Sequence, residues 1–96
     1  MGRVLRTTQA LEDLDAIWSY IARDNVTAAD RLIDRLYERF VVLADHPKSG
    51  ERQPHLSDGR YRRIVQGNYA VYYLPDEAGV TIIRVLHAAR EKFELP

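Results

Sequence analysis

A chain of 96 residues is long enough for one domain with a single core and too short for two of ordinary size. Fourteen Lys and Arg balance 14 Asp and Glu, so the formal charge is zero, and any contact with nucleic acid or an anionic membrane must come from a local patch. With no cysteine, disulfides, thiolate nucleophiles and Cys-based zinc sites are excluded together, and a stapled secreted mini-domain is not expected.

No stretch reaches the roughly 20 apolar residues of a spanning helix. The opening Met1-Gly2-Arg3-Val4-Leu5-Arg6 leads into no apolar run of the signal-peptide kind, which makes the cytoplasm the expected location. All but two of the cations, Lys48 and Lys92, are Arg, a bias that genomic composition accounts for before a binding role is invoked.

Residues 3–7 read as a short first strand. Thr8 is placed to cap a helix in which Leu11, Leu14, Ile17, Trp18, Ile21 and Ala22 recur at three- and four-residue spacing, with Glu12, Asp13, Asp15 and Ser19 on the other side. Asp24-Asn25-Val26 breaks that pattern, and Asn25 suits a left-handed cap. Thr27 with Asp30 three residues on resembles a capping box. The second helix carries its apolar stripe on Leu32, Ile33, Leu36, Tyr37, Phe40, Val41 and Leu43, and the short break makes the two helices an antiparallel pair. Asp30, Asp34 and Glu38 alternate with Arg31, Arg35 and Arg39 along it, which reads as a solvated face paired within the helix.

His46-Pro47 ends the helix, and the polar stretch to Gly59 reads as a loop. Beyond it the period changes to two. Tyr61–Val65 and Tyr69–Leu74 flank a turn at Gln66-Gly67-Asn68, and after Pro75-Asp76-Glu77-Ala78-Gly79 the β-branched segment Val80–His87 reads as a central strand. The order predicts an α+β domain over residues 1–96: a first strand, an antiparallel helical hairpin, and a three-stranded antiparallel meander completing one sheet with the hairpin on one face.

Six segments together resemble a known family: Ala10-x-x-Asp13-Leu14-x-x-Ile17-Trp18-x-Tyr20-Ile21, Ala28-Ala29, Leu43-x-x-His46-Pro47-x-x-Gly50, Tyr61-Arg62-Arg63, Gly67-x-Tyr69-x-Val71-Tyr72-Tyr73 and Ile83-x-Val85-Leu86-His87-x-x-Arg90. In that order and spacing, over nearly the whole chain, they resemble the ParE branch of the ParE/RelE toxins of type II toxin–antitoxin systems. The resemblance implies a toxin–antitoxin hetero-oligomer, in which a ParD-like or similar antitoxin folds its disordered segment onto the toxin. Trp18, Tyr20 and Tyr37 are the aromatic candidates for that contact, by helix-in-groove or strand addition, although packing in the core explains Trp18 as well.

In the RelE-like branch the resemblance implies ribosome-dependent mRNA cleavage. That chemistry needs a group to accept the 2′-OH proton, cations for the phosphorane and a donor for the leaving oxygen. The residues available for it are Arg62, Arg63, Arg84, His87 and Arg90. Two features weigh against it: no Tyr follows His87 in Ala88-Ala89-Arg90-Glu91-Lys92-Phe93, and the chain is neutral. The ParE-like branch implies inhibition of DNA gyrase by protein–protein binding, with no catalytic residue, and makes Arg90, Lys92 and Phe93 candidates for target contact. A third reading is a non-toxic homologue that only binds antitoxin.

His87 serves either branch, as an acid/base group or as a hydrogen-bonding end to the last strand. Arg84, alternating with Ile82 and Leu86 on an interior strand, requires an acceptor from this chain or from the antitoxin. His46, Glu51 and His55 match no metal-ligand spacing, and no Gly-rich phosphate loop or Ser-centred elbow occurs, so neither metal nor cofactor is expected.

Overall fold

The computed structural model describes residues 2–56 and 58–91. Strand β1 (Arg3–Arg6) is followed by helices α1 (Thr8–Ala22) and α2 (Val26–Asp45), then by β2 (Glu51–Arg52), β3 (Arg62–Gln66), β4 (Tyr69–Pro75), β5 (Gly79–His87) and a short 3₁₀ turn, Ala88–Arg90. The strands form one mixed sheet in the order β1-β5-β4-β3-β2. The α+β architecture is as the sequence predicts, with two additions. The loop contains β2, paired antiparallel to β3, and β1 runs parallel to β5. Gly79 makes that parallel approach possible: it sits at φ +153, and a Cβ there would collide with the backbone of Arg3.

The helix starts differ from expectation by small steps with clear causes. Thr7, not Thr8, caps α1, its hydroxyl oxygen accepting from the Ala10 amide at 3.0 Å. Asn25 does not end α1 in a left-handed conformation. It lies in the extended region and caps α2, accepting from the Ala28 amide at 2.9 Å, which leaves Thr27 inside the helix.

Ala10 and Leu14 of α1 and Leu36, Phe40, Leu43 and Ala44 of α2 pack on one face of the sheet, against Ile64, Val71, Tyr73, Val80, Ile82 and Val85. The buried stripe of α1 is narrower than its sequence pattern, because Leu11 and Trp18 lie on the flank and keep about two-fifths of their surface exposed. Trp18 ties the hairpin together instead: its indole N–H donates to Asp30 of α2 at 2.8 Å. The expected charge pairing along α2 is not formed. Among the described residues the close ion pairs fall elsewhere, notably Arg63 with Glu91 and Arg84 with Asp13, both at 2.7 Å.

β1 ends at Arg6, opposite Ile82, and α1 takes over its role along the rest of β5. The Thr7 amide and hydroxyl donate to the carbonyls of Ile82 and Ile83, and Asp13 accepts from the Val85 amide at 3.0 Å. Backbone groups that would face an open edge are thereby satisfied by the helix.

Candidate functional site

Where β4 and β5 meet at Tyr69 and His87, a cleft of about 400 Å³ opens between α1 and the 3₁₀ turn, lined by Ile17, Tyr20, Tyr69, His87, Ala89 and Arg90. α1 delivers Ile17 and Tyr20 one turn apart, β4 and β5 deliver the register pair Tyr69 and His87, and the turn delivers Arg90. Tyr20 is 68% exposed and carries the Arg23 guanidinium 5.1 Å from its ring centroid. The His87 ring stands edge-on to Tyr69, centroids 5.4 Å apart, and its Nδ1 accepts from the Ala89 amide at 3.2 Å. This bond starts the 3₁₀ turn and so directs the chain toward Arg90. Burial, with the neighbouring Tyr20, pushes the Tyr69 phenol above its ordinary pKa, keeping it a neutral donor at the cleft wall.

The remaining arginines are not gathered into this cleft. Arg62 turns toward the end of α2 and donates to the Lys48 and Gly50 carbonyls at 3.0 and 2.8 Å. Arg84 reaches over the edge of β5 to grip Asp13 with two nitrogens, at 2.7 and 3.0 Å, and that bonding raises its pKa. Arg63, directly opposite Tyr72 in the β3–β4 ladder, grips Glu91 with two bonds of 2.7 Å, and the Tyr72 hydroxyl donates to the same carboxylate at 2.7 Å. Bonding to Arg63 holds the Glu91 carboxyl below the usual range, while burial and the adjacent carboxylate push the Tyr72 phenol up to about 12. In the sequence Glu91 follows the last strand by four residues and draws no role of its own. Its partners lie 28 and 19 residues away, and no local pattern announces them.

Of the aromatic candidates, Trp18 and Tyr20 lie exposed on α1, whereas Tyr37 is half-buried, edge-on to Phe40 at 5.6 Å and beneath the Arg6 guanidinium at 5.1 Å. Lys92 and Phe93 lie outside the described residues. No helix among the described residues is long and apolar enough to cross a membrane.

The solved structure titled "Chromosomal ParDE TA system from P. aeruginosa" superposes with a TM-score of 0.72 over 91% of this chain and 96% of that one, at 20% identity, which is a likeness of fold. Toxin RelE2 of Caulobacter vibrioides is 35% identical over 91 residues, 94% of this chain and 99% of that protein. The family model described as the ParE toxin of the type II toxin–antitoxin system, parDE, matches residues 4–92. The chain belongs to the ParE toxin family of type II toxin–antitoxin systems.

Proposed function

We propose that the chain arrests growth by binding DNA gyrase, and that its antitoxin prevents this by covering the toxin surface. The observation that supports a binding inhibitor over a nuclease is the state of the arginines. A nuclease needs free cations around the phosphorane. Here Arg62 is engaged by two carbonyls, Arg63 by Glu91 and Arg84 by Asp13, and their side chains point to three different parts of the molecule. Arg90 in the cleft serves target contact in this reading. Trp18 and Tyr20, exposed on α1, are the leading aromatic contacts offered to the antitoxin, with the half-buried Tyr37 and the Asp13-bound Arg84 as lesser ones.

A second reading, ribosome-dependent mRNA cleavage, draws on the cleft itself, which places His87 and Arg90 beside two tyrosines. Expression in cells without antitoxin separates the two. The gyrase reading predicts a DNA-damage response and altered supercoiling with mRNA left intact. Normal supercoiling and intact chromosomes in arrested cells, with cuts at fixed codon positions, would overturn it in favour of the nuclease.

A further inference from the structure

The end of the sheet opposite the His87 cleft holds a second group of arginines. Arg52 and Arg62 are directly opposed in the β2–β3 ladder, an arrangement in which like charges repel. Arg62 is compensated by the Lys48 and Gly50 carbonyls. Arg52 is exposed, and its guanidinium meets no acceptor among the described residues. Gly59, at φ +80, passes close to it: a Cβ there would stand 3.3 Å from Arg52 Nη2, so the bare backbone leaves the guanidinium its room. Arg60 follows, held by Asp58 at 2.8 Å. With Thr81 and Asp76 these side chains frame a cleft of about 450 Å³.

We propose that this cleft binds a carboxylate carried by an extended acidic segment of a protein partner, and, resting on the toxin reading above, that the partner is the antitoxin. A guanidinium fork matches a carboxylate with two parallel bonds, and among the described residues none engages the fork of Arg52. β2 is the outermost strand and only two residues long, so its outer edge can accept an added strand, which brings alternate side chains to the face of Arg52. A nucleic acid suits the site less well. It has no peptide backbone to pair with the outer edge of β2, whereas Asp58 and Asp76 in the same cleft act against either polyanion alike.

The test is an NMR titration of the ¹⁵N-labelled full chain at low ionic strength, with hexaglutamate as probe and hexauridylate as its phosphate counterpart. Hexaglutamate is expected to shift the Glu51–Gln53 amides and the Arg52 and Arg60 side-chain N–H signals saturably. Arg52→Gln should weaken that binding about tenfold, with Arg52→Lys in between. Arg52 is exposed at the sheet edge, so neither variant disturbs the core. Shifts that are absent, that spread evenly over every cationic side chain, or that hexauridylate produces at this cleft as tightly as hexaglutamate, overturn the assignment. Growth arrest by the unchanged chain is read separately. Arrest without hexaglutamate binding removes the cleft and keeps the toxin; binding without arrest keeps the carboxylate site and removes the toxin reading on which the choice of the antitoxin rests.

Discussion

Tyr72 and Tyr73 are neighbours on β4 at a point of shifted register with β5, and they serve opposite faces of the sheet. Tyr73 is wholly buried beneath the helices, and its hydroxyl ties down the loop after α2, donating to Pro47 O and accepting from the Gly50 amide, both at 2.8 Å. Tyr72 lies on the face away from the helices, where its hydroxyl and Arg63 fix Glu91 and with it the turn that carries Arg90. The helix-covered face is held by apolar area, which pH does not touch. The other face is held by an ionised carboxylate, so the two faces should fail under different conditions.

Removing apolar volume from the covered face should have the largest effect. Phe40→Ala is expected to cost about 3–5 kcal/mol in urea unfolding, at every pH where the protein folds. Next comes Tyr73→Phe, which leaves the Gly50 amide without its acceptor and the Pro47 carbonyl without its donor; about 1–3 kcal/mol should be lost, again without pH dependence. Glu91→Gln should cost about 1–2 kcal/mol at neutral pH, since Arg63 and Glu91 are each about three-quarters or more buried.

The pH profile separates the faces further. The folded state holds Glu91 below its ordinary pKa of 4.5, so its contribution is complete above that value and is lost as pH falls through the lowered folded pKa. The folded state raises Tyr72 from 10.0 to about 12, so that contribution is complete below pH 10.0 and is lost as pH rises through about 12. Unfolding curves of Glu91→Gln against the unchanged chain should converge below the lowered pKa and differ above 4.5; a gap independent of pH would show that ionisation does not hold this face. The smallest effect belongs to the hairpin tie, where Trp18→Phe should cost about 0.5 kcal/mol because Asp30 returns to water.

The same contrast explains what the sequence discloses. The helices and β3–β5 are readable because Leu14, Leu36 and Phe40 recur at helical spacing, and because Val80 to Val85 is β-branched and apolar. β2 is hidden: two charged residues in a polar loop have no period, and pairing with β3 alone makes them a strand. The parallel alignment of β1 with β5 is equally a property of the assembled sheet, set by the approach of Arg3 to Gly79. Thr7 and Thr8 are interchangeable as caps on paper, and the β5 carbonyls that bond Thr7 decide between them.

For the candidate site, the residues of the last strand and its turn stand out, but the aromatic wall does not, because Tyr20 and Tyr69 meet His87 only after α1 is laid along β5. The interior position of Arg84 demands an acceptor, and the path of α1 identifies it as Asp13. Arg52 draws no notice in the sequence. Its interest comes from facing Arg62 across a two-residue ladder.

The most direct test of the account is a supercoiling assay with purified gyrase, relaxed plasmid and the toxin, with and without its antitoxin. Accumulation of gyrase-cleaved linear DNA, prevented by antitoxin, is the predicted result. Undisturbed supercoiling at toxin concentrations that cleave ribosome-bound mRNA would contradict it and make His87 and Arg90 the residues to examine as catalysts.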